Sequence, residues 1–303
     1  MLRRKLSELN VIDDFMMNEL ATNEELKEPC FRRILSVLLN RDIGEINVKA
    51  QSIIQGLDTD LRGVRLDVEI IETTRNGISI KSEDDTVIQG EKNITGSQIA
   101  NIYDLEPHLR KDVNFPKHNR YYQAKIDSRY VKKGLDDFEG MHNLYVITIT
   151  NFDIFGDGLF EYTVCNKILE NPDREYKDGL IFKYFNTRGK TGGSEAVKNM
   201  LRFIEKSTSE NVVDEATKEI SEYVNRVKKS PNAEEIYMTM GDKIDFLCRE
   251  SEEIGEQRGI GIGEQRGIEI GKQQMLNIIK EAAKKAGAEA ELEKIISEYS
   301  ENS

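Results

Sequence analysis

The chain has 303 residues, 38% of them apolar and 32% charged, with a net charge of −12 and no Trp. This is the composition of a folding, water-soluble chain, long enough for one large domain or a core with an extension, and it excludes a transmembrane helix, because the longest apolar stretches, such as residues 144–149, fall far short of the ~18 residues that such a span needs. The basic start, Met1-Leu2-Arg3-Arg4-Lys5, runs into Ser7-Glu8-Leu9-Asn10 where a signal peptide needs an apolar run, and Cys30, Cys165 and Cys248 lie too far apart for a CxxC metal pair, so a cytoplasmic protein with reduced thiols is expected.

Residues 1–60 are expected to be helical, with a short strand or linker near 46–48. Pro29 suits a helix start, since proline is tolerated in the first turn. Phe31, Ile34, Leu35, Leu38 and Leu39 then recur at helical spacing until Asp42-Ile43-Gly44. Residues 61–190 read as mixed strand and helix. Val64, Leu66, Val68 and Ile70 alternate with Arg65, Asp67, Glu69 and Ile71, the pattern of a half-buried strand. Asn76-Gly77 is a hairpin turn signal, followed by a return strand at Ile78-Ser79-Ile80 and a polar loop over 82–96. A strand over 99–105, a helix over 116–133 closed by Gly134, and a buried β-branched strand over 144–150 come next. Phe155-Gly156-Asp157-Gly158 lacks the helix-opening context of a phosphate loop and reads as a turn. Segments 160–164 and 180–184 can form two later strands.

Residues 194–303 read as helical. Within them Ile254-Gly255-Glu256-Gln257-Arg258-Gly259-Ile260 recurs eight residues on as Ile262-Gly263-Glu264-Gln265-Arg266-Gly267-Ile268, and a partial third copy starts at Ile270-Gly271. A period of eight drifts by about 80° per repeat on a 3.6-residue helix. Glycine disfavours an isolated helix by ~1 kcal/mol per residue. The segment is therefore either a flexible charged tail or a helix that gains from packing on a partner, where glycine permits close approach.

The charge is unevenly spread. Residues 107–133 have a balance of +6, from Arg110, Lys111, Lys117, Arg120, Lys125, Arg129, Lys132 and Lys133 against Asp112 and Asp127, whereas 201–303 has a balance of −7. Such a basic segment can contact phosphates while the rest of the chain keeps it soluble, although a solvated helix face has the same look. Tyr121 and Tyr122 interleave with these cations, but aromatic residues at helical spacing more often build a core. His118 and His142 show no ligand spacing and are expected to face solvent.

Metal-dependent phosphodiester cleavage needs two or three carboxylates that converge on a divalent cation. Magnesium prefers oxygen ligands and keeps several waters, so few protein ligands suffice. Asp67 points away from the Val64/Leu66/Val68 face, and Asp104, Glu106 and His108 share one face at period two. If the two strands are neighbours, Asp67 and Glu106 can meet across the sheet. An exposed sheet face gives the same pattern routinely.

Gly63-Val64-Arg65-Leu66-Asp67-Val68 resembles the GxRLDV strand, and Ile102-Tyr103-Asp104-Leu105-Glu106-Pro107 the xYDIExx strand, of the transposase-like, recombination-promoting nuclease family of PD-(D/E)XK nucleases. Arg120-Tyr121-Tyr122-Gln123-Ala124-Lys125-Ile126-Asp127-Ser128-Arg129 resembles the helix that follows, and Leu144-Tyr145-Val146-Ile147-Thr148-Ile149-Thr150 the next strand. The Gly-Glu-Gln-Arg-Gly repeat is similar to that family's C-terminal repeats. The likeness spans roughly residues 10–190 and the tail.

The resemblance implies an α/β fold: a three-layer restriction-endonuclease-like core with a central mixed sheet over 1–190, a helical extension over 191–252, and a repeat and C-terminal helix over 253–303 that suit oligomerisation. It implies a DNA endonuclease with Mg²⁺ (or Mn²⁺) held by Asp67, Glu106 and the backbone carbonyl of Pro107. DNA is the implied partner, with a homo-oligomer expected through the repeat. Arg110, Lys111, Lys117, Arg120, Lys125 and Arg129 are the candidate phosphate contacts. The sequence departs from the family at the third position, usually Lys or Gln, where His108 stands. A histidine with an ordinary pKa near ~6.5 can bind or orient water, but it is not a permanent cation. Gln123 or Lys125 on the next helix can substitute. They lie about 200° apart, so only one can face the site, and Gln123 is preferred. The family also implies an acidic residue on the first core helix, for which Glu19 and Glu28 are both available.

Overall fold

A computed structural model of the chain describes residues 4–54, 64–74, 98–111, 114–131, 138 and 141–300. The expected hairpin turn at Asn76-Gly77 with its return strand, the polar loop over 82–96, Gly63, and the helix end at Lys132, Lys133 and Gly134 lie outside the described residues.

The chain is α/β. Helices α1 (Asp14–Thr22) and α2 (Lys27–Leu39) lead into strands β1 (Glu45–Ile54), β2 (Val64–Thr74) and β3 (Gln98–His108). Helix α3 (Phe115–Tyr130) then precedes β4 (Asn143–Thr150), β5 (Glu161–Val164) and β6 (Leu180–Asn186). Helices α4 (Glu195–Glu205), α5 (Glu215–Lys228), α6 (Pro231–Ala286) and α7 (Glu289–Ser300) complete it. The strands form one mixed sheet in the order β1-β2-β3-β4-β6-β5. The β1–β2, β2–β3 and β5–β6 pairs are antiparallel, and β3–β4 and β4–β6 are parallel.

Two boundaries differ from expectation for local reasons. The short strand expected near residue 46 is ten residues long, because it pairs with β2 from Glu45↔Thr73 to Ile54↔Val64. Helix α2 stops at Asn40 rather than at Asp42-Ile43-Gly44: Asn40 adopts φ 49° and its backbone N–H turns back to the Ser36 and Val37 carbonyls.

Strand register sorts the core. Val68, Leu105 and Ile147 lie abreast, as do Ile70 and Tyr103. They face a large cluster that includes Phe15, Met16 and Leu20 of α1, Phe31, Ile34 and Leu35 of α2, and Met200, Leu201 and Phe203 of α4. The opposite face sets Ile102, Leu144 and Val146 against Ile126 of α3. Helix α3 starts at Asn114, whose side chain accepts the Lys117 N–H, with proline in the first turn.

The core does not end at residue 190. Ile220, Val224 and Val227 of α5 belong to the same cluster as α4, and Arg33 of α2 pairs with Glu219 of α5 at 2.5 Å. The compact unit runs to Tyr237, past the expected boundary.

The second unit, Met238–Ser303, holds most of α6 and all of α7. The whole repeat lies in the continuous helix α6, with Ile254, Ile260, Ile262, Ile268 and Ile270 exposed. No described helix is long and apolar enough to cross a membrane. Cys30 is buried and Cys165 exposed, and both are free thiols.

Candidate active site

β2 carries Asp67-Val68-Glu69 and β3 carries Asp104-Leu105-Glu106. Side chains alternate along a strand, so each triplet sends two carboxylates to one face and its apolar middle residue to the other. The antiparallel register sets Val68 opposite Leu105 and Glu69 opposite Asp104. It brings Asp67 to Glu106, whose Oε1 accepts the Asp67 backbone N–H at 2.9 Å. Four carboxylates therefore gather on the α3 face.

The strands part at this point. Backbone pairing between β2 and β3 ends at Val68↔Leu105, and the Glu106 carboxylate takes the next N–H of β2. Pro107 follows with no N–H of its own to donate. On the other side, Gln51 of β1 adopts φ 51° between the pairs Ala50↔Val68 and Ser52↔Leu66. Val48 and Val68 pack with α1 and α2, yet Leu66 packs with Ile126 and Ser52 accepts a hydrogen bond from Arg129, both of α3. Strict alternation would keep these on one face. The irregularity at Gln51 lets the sheet switch faces beside Asp67, as bulges next to active sites do.

Burial makes the cluster electrostatically unusual. Glu69 and Asp104 are fully buried, Glu106 is 2% exposed and Asp67 is half-buried. Burial, followed by the nearby Glu69 and Asp67, pushes the Asp104 carboxyl well above the usual range. Burial, then Asp104 and Asp67, does the same to Glu106. Glu69 is compensated: its Oε1 accepts the Tyr130 hydroxyl at 2.8 Å, and Arg129 stands 3.6 Å from Oε2. Asp104 is not. Apart from a proton shared with Glu106, neither of its oxygens has a hydrogen-bond partner among the described residues.

Helix α3 is pinned above the row by Asn119, which donates to Thr148 Oγ1 at 2.9 Å; Thr148 is the β4 partner of Glu106. His108 Nε2 lies 3.7 Å from Glu106 Oε2, with its ring edge-on to Phe115 and His118. His108 thus joins the cluster at its rim. Pro107 lies between these two residues, in register with Ile149 of β4.

Other expected site residues are placed elsewhere. Gln123 donates to Asp127, one turn along α3, and is not brought to Glu106 by any described contact. Asp127 in turn stands 3.5 Å from His142 Nε2. His142 is buried, not solvent-facing, and His118 is half-buried against Tyr122. Lys125 is buried with its ammonium over the Tyr121 ring. Arg129 is engaged by Ser52 and Glu69. Both basic residues are turned to the fold, whereas Arg110, Lys111, Lys117 and Arg120 are exposed. Tyr122 packs in the core as expected, but Tyr121 is exposed. Glu28 pairs with Arg32 on the surface of α2, and Glu19 is half-buried on α1. Those two helices pack on the sheet face opposite to α3.

Phe155-Gly156-Asp157-Gly158 is a turn, with Gly156 and Gly158 at positive φ and their N–H groups donating to Asp153. Among the described residues no three His, Cys, Asp or Glu side chains converge as a ready-made coordination set. The donor chemistry still suits a hard cation: carboxylate oxygens predominate, and among the described residues both oxygens of buried Asp104 lack a protein donor other than the neighbouring Glu106 carboxyl.

Sequence reasoning set Asp104 on the face of Glu106 without giving it a role, and it missed Glu69 as a cluster member. The signal was present as two Asp-x-Glu triplets, one on each strand. No family model matches the chain, and neither does any curated protein or solved structure.

Proposed function

We propose that the protein is a Mg²⁺- or Mn²⁺-dependent DNA endonuclease with a three-layer restriction-endonuclease-like core. The observation that carries this reading is the meeting of Asp67 and Glu106 at a gap in the sheet, beside the buried carboxylates of Glu69 and Asp104. Asp67, Glu106 and the Pro107 carbonyl would hold the divalent cation. When bound, that ion activates a water and offsets the negative charge on the scissile phosphate. Glu106 keeps Asp67 in place through its backbone N–H. His108, beside Glu106, orients water at the rim. The exposed Arg110, Lys111, Lys117 and Arg120 supply phosphate contacts, which give affinity that falls steeply with salt.

The test is plasmid nicking by the purified chain with Mg²⁺, Mn²⁺ or EDTA, beside the Asp67→Ala/Glu106→Ala double variant. Metal-dependent nicking that disappears in the variant supports the reading. Equal nicking by both proteins, or in EDTA, overturns it. Salt-sensitive DNA binding without any cutting would favour a binding module on the same fold.

The exposed isoleucines of α6 favour a second element of the proposal, a homo-oligomer through the repeat helix. Light scattering of the full chain beside one truncated at Glu252 tests it, and an unchanged mass per chain rejects it.

A further inference from the structure

Helix α6 leaves apolar side chains in solvent along one side. Every seventh residue of a helix returns to the same side, with a drift of only about 20° per step. Ile254, Gly261, Ile268 and Met275 therefore form a ladder, and Ile279 extends it four residues on. Ile254 is 44% exposed, Ile268 60%, Met275 62% and Ile279 43%. A Cβ on Gly261 would meet nothing within 4 Å among the described residues, so the space beside that glycine is not used by its own chain.

The charge of the same helix is graded. Residues 242–256 carry six acids against Lys243 and Arg249, whereas residues 272–285 carry four lysines against Glu281. The stretch between them is balanced, with Arg258 and Arg266 against Glu264 and Glu269. The helix dipole does not call for this gradient. Its effect is confined to the first and last turns, and the acidic stretch lies well inside a helix that begins at Pro231.

We propose that α6 pairs antiparallel with α6 of a second copy of this chain. This rests on the reading of a homo-oligomer through the repeat helix and gives that oligomer its direction. Antiparallel pairing lays the acidic stretch of each helix along the basic stretch of the other, whereas parallel pairing sets like charge against like at both ends. Shape selects the same direction. With Ile268 of each helix opposite Gly261 of the other, Ile254 comes opposite Met275, and the two-fold axis passes between Glu264 and Gln265. A large side chain then fills the space at each Gly261. A parallel pair sets Gly261 against Gly261 and leaves that space empty.

The test reverses charge at exposed positions of the full chain, at one end of the helix or at both. One variant carries Asp245→Lys, Glu250→Lys and Glu253→Lys; a second carries Lys272→Glu, Lys280→Glu and Lys284→Glu; a third carries all six. Light scattering over a concentration series in low salt reads association, and circular dichroism reads helicity. Each single-end variant should associate at least about tenfold more weakly than wild type, because both stretches then have the same sign. The six-fold variant should recover wild-type association, since the gradient is restored in reverse. Wild-type association in both single-end variants, or weakening that the six-fold variant does not recover, overturns the antiparallel arrangement and leaves the oligomer standing. A monomeric wild type, or an oligomer unchanged by truncation at Glu252, overturns it together with the reading on which it rests. If the reversals cost helicity, oxidation of an equal mixture of Gly261→Cys and Ile268→Cys chains decides. The mixture should cross-link faster than either chain alone, and cross-linking no faster than in the separate chains overturns the inference.

Discussion

Glu106 Oε1 accepts the backbone N–H of Asp67 at 2.9 Å, in the place where the next backbone pair of the sheet would be expected. A side chain takes over a ladder hydrogen bond, so the positions of the two acidic residues are coupled. Removing either carboxylate should change the charge of the site while the rest of the sheet is retained. Asp67→Asn and Glu106→Gln should each lower metal-dependent nicking by at least about a hundredfold. Circular dichroism should show an intact fold in both.

Metal-free stability should fall as pH rises. The carboxyls of Asp104 and Glu106 are raised by burial and by their acidic neighbours. The folded chain therefore holds protons that the unfolded chain has released. Their stabilisation is fully present below the ordinary carboxylate pKa of about 4 and is lost as pH climbs through the raised values. Denaturant titrations in EDTA at several pH values measure this, and added Mg²⁺ should flatten the slope.

Glu72 should behave in the opposite sense. Burial pushes its carboxyl up, but donors from Tyr103, Gly44 and Asn101 and the Arg41 charge outweigh that, so it lies below its usual range. Its contribution is present above the unfolded pKa and is lost as pH falls through the folded value. Glu72→Ala leaves those donors without an acceptor and should cost about 1–3 kcal/mol at neutral pH. Chemical denaturation measures the loss, which should shrink in acid.

Phe203 of α4 is 1% exposed and packs in the same cluster as α1 and α2. Phe203→Ala should cost about 3–5 kcal/mol in denaturant unfolding of the compact unit. A negligible cost would mean that α4 is an appendage and not part of the core.

The glycines of the repeat offer a test of assembly. A Cβ on Gly259 or Gly267 would meet nothing within 4 Å in this chain. In an isolated helix, Gly259→Ala and Gly267→Ala should each stabilise by about 1 kcal/mol, seen as greater helicity. If a second copy packs against these positions, the same substitutions should weaken the oligomer in light scattering.

Much of the architecture is legible in the chain itself. Alternation marks β2 and β3, proline at the helix start marks α3, the β-branched run marks β4, and the Asp-x-Glu triplets place carboxylates on single strand faces. These features depend on neighbours in sequence, so local periodicity determines them. The rest depends on partners far away. β1 grows to ten residues because β2 offers it a full edge. Lys125, Arg129 and His142 turn inward because α3 covers the sheet, and no local pattern says which face of a cationic helix meets a carboxylate row. The face that β2 and β3 turn to that same helix is buried, which takes Glu69, Asp104 and Glu106 out of solvent, with Glu69 compensated by Tyr130 and Arg129. Burial is set by the whole fold, and so only the tertiary structure decided which acids lie together out of solvent.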